Sequence, residues 1–428
     1  MINRNTVSVK MWGTTVGYLH QEKNGIIGFQ YNKDFINSGI EISPVKMPLS
    51  TTTYFFPALP EETFHGLPGL VADSLPDKFG TVVINKYLEN QGRTADSLSV
   101  IEKLCYTGKR GMGALEYEPA KELSDKNSFV DIDALTRLAA DILSEKENLH
   151  IEQNDSMMSQ LMECSSSVGG ARAKTLIAWN EATNDIRSGQ IDAGKGYDYW
   201  LLKFDNIKNN KDKDITPDEN EYTRIEYAYY LMAKKTGIRM SDCRLYEEKG
   251  NAHFMTKRFD RNNNEKLHMQ SLCAIAHMDF NSPRIYSYED AFSVLRKLQL
   301  PYGDAVELFR RMTFNEYAKN YDDHTKNISF LMNKKGEWSL SPAYDVTFAY
   351  KWDSIWVNSH QMLINGKADN ITDTDLFAVA KKTGIKKSDA AECIENVKKA
   401  VSMWENYAAQ SGLSQKNTMK IYNILNSK

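Results

Sequence analysis

Short runs rich in β-branched and aromatic residues, TVSVKMW, GIIGFQY and TTTYFF, recur through residues 4–56 and are parted by Gly, Asn and Asp. Such runs suit a pleated, half-buried surface, so this stretch predicts a small antiparallel sheet joined by tight turns. The period then changes. Apolar positions in SLPDKFGTVVINKYLENQG fall at helical spacing and stop at Gly92, and TADSLSVIEKLCY predicts a second helix behind an Asp or Thr cap. In DIDALTRLAADILSEKE, Ile132, Leu135, Leu138, Ala139 and Ile142 line one helical face, and the polar residues 148–153 follow as a loop.

Farther along, KTLIAW (Lys174–Trp179) and DYWLLKF (Asp198–Phe204) read as strands around a turn-rich stretch. ENEYTRIEYAYYLMAKKTG predicts a helix closed by Gly237, and HFMTKRFD (His253–Asp260) one more strand. From about residue 270 helix follows helix, interrupted once by ISFLMNKKGEWSLSPAYD, a hairpin turning at Lys-Gly. The charge-rich stretch NIKNNKDKDITPDEN, residues 206–220, reads as a solvated or mobile loop. The expected class is α+β, with an α+β module over 1–120, a sheet-rich part over 121–265 and a helical part over 266–428.

Composition narrows the classes of partner. The chain has 428 residues, 41% hydrophobic and 25% charged, enough for two or three domains and a large core. Lys+Arg number 53 against Asp+Glu 56, a net charge of −3, which excludes the general basic excess that drives nonspecific nucleic-acid binding. Any DNA contact is then local or made through a partner. Five cysteines at long spacings, without a CxxC pair, point to reduced thiols and a cytoplasmic location. No run of roughly 18 apolar residues predicts a membrane span, and the alternating N-terminus does not read as an export signal. The histidines include no HExxH, so a metal here would be oxygen-bound.

Three groups of residues carry candidate chemistry. In YDDHTKN, residues 321–327, Asp322 and Asn327 have the spacing that sets a carboxylate beside an acceptor hydroxyl and an amide oxygen on Mg²⁺, and Asp345 lies across the predicted hairpin. Alone, that spacing is also common in polar turns. In SSSVGGARAKT, residues 165–175, paired glycines let backbone amides approach phosphate oxygens, with Arg172 and Lys174 adding charge; the Walker pattern fails because Ala173 precedes the Lys. Lys203 in YWLLKFD is a charge within an apolar strand and needs an anionic partner, a phosphate or an acid such as Glu221 or Glu226 from the next helix.

With these residues in order, the chain resembles the HipA family of serine/threonine kinase toxins over nearly its whole length. SVGGARAKT, YWLLKF, NEYTRIEYAYYLMAKKTGI, KRFDR, DDHTKN and SPAYDV match the family's core motifs in sequence order, and GLPGLVADSLPDKFG, GKRGMGALEYEP and MLINGKADNIT match flanking segments. The resemblance implies a protein-kinase-like fold of two lobes, β-rich then all-α, behind an N-terminal α+β subdomain. It implies ATP and Mg²⁺ as cofactors: Lys203 on the phosphates, Asp322 as catalytic base, Asn327 and Asp345 on the metal. It also implies Val168, Gly169, Gly170, Ala171, Arg172, Lys174, His324 and Lys326 around the nucleotide, with Lys257 and Phe259 near the adenine. Ser167 matches the serine that the family phosphorylates in its own glycine-rich loop, and Ser165 is the second choice; the added charge would loosen the grip on ATP.

The same resemblance implies a HipB-like helix-turn-helix antitoxin that brings the chain to DNA indirectly, no membrane, and an aminoacyl-tRNA synthetase as substrate, with growth arrest or persistence as outcome. Lys257 departs from the acidic residue expected at the adenine hinge. The alternative is a catalytically weak nucleotide-binding scaffold acting as co-repressor with such an antitoxin.

Overall fold

The structure, a computed structural model, describes residues 5–94, 97–121, 129–144, 155–165, 172–190, 192–207, 221–262 and 265–427. Two compact units divide the chain: 1–212 with 246–270 and 332–337, and 213–245 with 271–331 and 338–428. This partition is coarser than the three-way division at 120 and 265, with the N-terminal module and the second sheet sharing the first unit.

The first unit opens with the foreseen antiparallel sheet, ordered β4-β3-β2-β1-β5. Its strands are β1 Thr6–Met11, β2 Thr14–Gln21, β3 Ile27–Tyr31, β4 Tyr54–Phe55 and β5 Leu115–Glu118. Alternation is plain in β1, where Val7, Val9 and Met11 face the core. β5, too short to announce itself in sequence, joins β1 from far along the chain, pairing Val9 with Tyr117.

The second sheet is ordered β7-β6-β8-β10-β9, from β6 Lys174–Asn180, β7 Asp185–Ser188, β8 Asp198–Lys203, β9 Cys243–Glu248 and β10 Asn251–Lys257. Helices Lys78–Asn90, Ile132–Leu143 and Asp155–Ser165 supply Val83, Leu135 and Leu161 to a core shared with Ile177, Trp200 and Met255. Helix Ile132–Leu143 has the predicted face and is capped by Asp131, whose carboxylate accepts from the Ala134 amide. Helix Val100–Thr107 is capped by Ser99 with Glu102 in a capping box, and not by the expected Asp or Thr. Ser99 immediately precedes the apolar period, where its hydroxyl reaches the third amide of the turn.

A buried ion cluster joins the two sheets within this unit. Asp260 accepts from Arg258 Nε and Nη2 at 2.9 and 2.8 Å, from Arg261 Nη1 at 2.6 Å and from the Gly113 amide at 2.8 Å. Arg258 donates onward to the Gly189 carbonyl at 3.0 Å, and Arg261 to Gly111 at 3.3 Å. Gly189 has no room for a side chain: a Cβ would stand 2.6 Å from the Ile177 backbone.

The second unit is mainly helical, and the foreseen hairpin is present as strands Ser329–Met332 and Trp338–Leu340, with 332–337 counted in the first unit. Helix Tyr222–Lys235 ends as predicted before Gly237, whose φ of 86° suits glycine. Its Tyr229 is buried against Phe314 of helix Tyr302–Tyr317 and Trp404 of helix Trp404–Gln410. Tyr229 Oη donates to the Ala318 carbonyl at 2.6 Å, fixing the end of the helix that leads to residues 321–327. All five cysteines are free and buried. Among the described residues no helix is long and apolar enough to cross a membrane.

Candidate functional site

The Asp322–Asn327 loop follows helix Tyr302–Tyr317 and closes in a short 3-10 turn, Thr325–Asn327. Three contacts hold its shape: Asn327 Nδ2 donates to the Asp322 carbonyl at 2.8 Å, the Asn327 amide to the His324 carbonyl at 2.9 Å, and Thr325 Oγ1 to the Met278 carbonyl at 2.7 Å. The loop's entry is tied to the chain just beyond Asp345, where the Tyr321 amide donates to Ala349 and the Ala349 amide to Lys319.

Asp345 is placed by its neighbour. Tyr344 Oη contacts Ser329 Oγ at 2.5 Å and donates to the Lys326 carbonyl at 2.7 Å, so the residue before Asp345 is bonded to the residue before Asn327. Asp345 itself has a φ of 51°, a left-handed conformation that costs most residues about 1–2 kcal/mol and that Asp tolerates better than most. Asp322, Asn327 and Asp345 line one pocket with His324, Tyr344 and Asn320. Asp345, 18 residues beyond Asn327 in sequence, is thus brought beside Asp322 and Asn327.

The donor set suits a hard divalent cation. With its nitrogen spent on the Asp322 carbonyl, Asn327 keeps its oxygen for a ligand, and Asp345 adds a carboxylate. Among the described residues no group of three His, Cys, Asp or Glu forms a cage of its own. A cation here would complete its shell with water and ligand oxygens, as Mg²⁺ does.

Beneath the loop lies a charge cluster that sequence reasoning missed. His360, fully buried, faces Asp323 Oδ2 through Nδ1 at 2.6 Å and Glu316 Oε2 through Nε2 at 2.9 Å. Both ring nitrogens meet carboxylates, which requires the imidazolium. Burial pulls the His360 pKa down, but Asp323 and Glu316 outweigh it and raise it to about 9. Burial likewise pushes Glu316 up, and His360 and Lys319 more than reverse that, leaving it below the usual carboxylate range. Asp323 also accepts from Tyr288 Oη at 2.9 Å and from the Gln361 amide at 2.8 Å. Gln361 Nε2 in turn reaches Asp322 Oδ1 at 2.5 Å. The partners lie 37 to 44 residues apart in sequence, and only folding connects them.

The remaining predicted residues are distributed as follows. His324 Nε2 is 3.8 Å from Asp322 Oδ1, and Lys326 Nζ sits 5.1 Å from the centre of the Phe280 ring. In the first unit, Lys203 ends β8 with its Nζ 5.9 Å from the centre of the Phe254 ring. Lys174, placed beside phosphate by the sequence, is instead turned inward: it is 3% exposed with Nζ 3.6 Å from Asp77. Lys257 forms a half-exposed ion pair with Asp198 at 2.7 Å, and Phe259 and Arg172 are half-buried. Ser165 closes helix Asp155–Ser165 with its hydroxyl fully buried. Ser167, Val168, Gly169, Gly170 and Ala171, and residues 208–220, lie outside the described residues. Glu221, considered as partner to Lys203, is committed elsewhere: it holds Ser414, the N-cap of helix Gln415–Leu425, accepting from its amide at 3.0 Å and from its Oγ at 2.6 Å.

Comparisons with known proteins agree with this architecture. A family model for the HipA N-terminal domain matches residues 7–118, and one for the HipA-like C-terminal domain matches 166–404, more than half of the chain. No curated protein matches the chain in sequence. Among solved structures, HipA of Shewanella oneidensis MR-1, determined in a toxin-antitoxin complex with HipB and operator DNA, has a TM-score of 0.64 at 16% identity. The alignment covers 98% of this chain and 95% of that one, and shows a shared fold. The Helicobacter pylori proinflammatory kinase CtkA aligns over 50% of this chain and 92% of its own, at 10% identity and a TM-score of 0.29, too low to bear on the fold. By its two matched domains and its α+β architecture, the chain belongs to the HipA family.

Proposed function

We propose that the chain is the serine/threonine kinase toxin of a HipA/HipB-like toxin-antitoxin pair, acting in the cytoplasm. The observation that carries this reading is the convergence of Asp322, Asn327 and Asp345 on one pocket, with the loop closed by Asn327 on the Asp322 carbonyl. Asp322 accepts the proton of the acceptor hydroxyl. Its neighbour Asp323 is unsuited to that task, because His360, Tyr288 and the Gln361 amide occupy both its oxygens. Mg²⁺, held by Asn327 and Asp345, would neutralise charge on the ATP phosphates. Lys203 is assigned to the phosphates by the resemblance of YWLLKF to the family motif.

Ser167 is the proposed autophosphorylation site. The buried hydroxyl of Ser165 makes it the poorer acceptor, since the helix end must open first. A HipB-like antitoxin carrying the chain to DNA is proposed by analogy with the Shewanella complex, and an aminoacyl-tRNA synthetase as target by family membership. Incubation with Mg-ATP followed by mass spectrometry of the 165–167 peptide tests the reading. Wild type should gain a phosphate there and Asp322→Ala should not; equal labelling of the two, or none in wild type, would overturn it.

A further inference from the structure

A general base works only if its lone pair points at the proton it takes, and a carboxylate on a single rotatable bond does not hold that direction by itself. We propose that Gln361 is a positioning residue that aims the Asp322 carboxylate, and that the Glu316–His360–Asp323 cluster holds Gln361 in place. This rests on the kinase reading of Asp322.

The geometry is specific. Gln361 Nε2 donates to Asp322 Oδ1, which restrains rotation of the carboxylate and with it the direction of its second oxygen. The Gln361 amide donates to Asp323 Oδ1 at 2.8 Å, so one residue grips two successive carboxylates, by side chain and by backbone. Asp323 is immobilised through its other oxygen by His360, which is anchored on Glu316 and covered by the Tyr321 ring at 4.4 Å. Gln361 is 3% exposed and is not among the residues lining the Asp322 pocket, so its effect runs through Asp322.

Its side chain is not explained by packing. Gln361 Oε1 is buried with no hydrogen-bond partner among the described residues. An apolar side chain would leave no such orphan. Turning the amide over would set Oε1 against a carboxylate oxygen, so the orientation with the nitrogen on Asp322 is the chemically consistent one. Gln361 thus leaves one polar atom unsatisfied while the other grips the base.

The test follows phosphate entering the 165–167 peptide at a series of Mg-ATP concentrations, with Gln361→Met, which keeps length and removes the donor, and Gln361→Glu, which sets a like charge against Asp322. Both should lower the maximal rate about 10- to 100-fold. The ATP concentration giving half-maximal rate should stay within about twofold of wild type, and thermal melting should show both variants folded. A packing role would lower melting temperature without this split. Maximal rates within about twofold of wild type in either folded variant, while Asp322→Ala is inactive, would overturn the positioning role and leave the kinase reading standing. No phosphate in wild type would overturn both.

Discussion

In the first unit one carboxylate, Asp260, sits between two guanidinium groups; in the second one imidazole, His360, sits between two carboxylates. Both clusters are buried, and both would be costly to leave half-paired. They differ in what supplies the positive charge. Arginine holds its proton at any physiological pH, so the Asp260 cluster is a fixed staple, fastening the 111–113 turn to the second sheet. Histidine holds a proton only as long as its neighbours make it do so. The cluster that can lose its charge is the one attached to the Asp322 loop.

The largest effect that sharpens this contrast is expected from Asp260→Ala, which leaves Arg258 and Arg261 facing each other without a counter-charge. Denaturant unfolding should show a loss of about 3–5 kcal/mol; a loss under about 1 kcal/mol would break the picture of a staple. Next is the response to alkali. The His360 pKa is raised from 6.5 to about 9, so its stabilisation is complete below about 6.5 and is lost as pH rises through about 9. The shift corresponds to about 3 kcal/mol. Asp260 is instead lowered, burial opposing and its two arginines prevailing, so its contribution is present above the ordinary carboxylate range and falls away only in acid. Urea midpoints measured across the alkaline side should therefore fall for wild type and change little more in Asp260→Ala than in wild type.

A somewhat smaller effect, about 2 kcal/mol at neutral pH, is expected from His360→Gln, which keeps a donor but withdraws the charge. Its alkaline slope should flatten, and an undiminished slope would assign the titration to another group. The smallest is Ser99→Ala, a cap remote from either cluster, at about 1 kcal/mol and independent of pH between the two extremes. It serves as the reference for a purely local loss.

Local pattern carried a good part of the fold. Alternation in TVSVKMW and helical spacing over Ile132–Leu143 depend on near neighbours, and both reappear as drawn. The helix Asp155–Ser165 was not read, because its apolar residues Met157, Met158, Leu161 and Met162 lie between a polar run and a serine-glycine stretch that suggests a loop. Strands β5 and β7, of four residues each, fall below the length at which alternation is visible.

The site was legible where chemistry is written in spacing, at Asp322 and Asn327, and illegible where it depends on distant partners. Nothing near Lys174 announces Asp77, and nothing near Asp322 announces Gln361. In sequence both lysines were placed on phosphate, Lys174 from the glycine-rich loop and Lys203 as a charge within an apolar strand. The fold turns one inward onto a carboxylate and leaves the other partly exposed at a strand end.

The span between Ala349 and His360 leaves the Asp322 loop at one end and returns to it at the other: Tyr321 donates to Ala349, and Asp323 receives both His360 and the Gln361 amide. Arg284 clasps its middle through the Ile355 carbonyl and Asn358. The two ends share one footing, so in native-state hydrogen exchange the Tyr321 and Gln361 amides should lose protection together, at a single opening free energy. The span and Asp322 then form one cooperative unit, and anything that lifts the first releases the second.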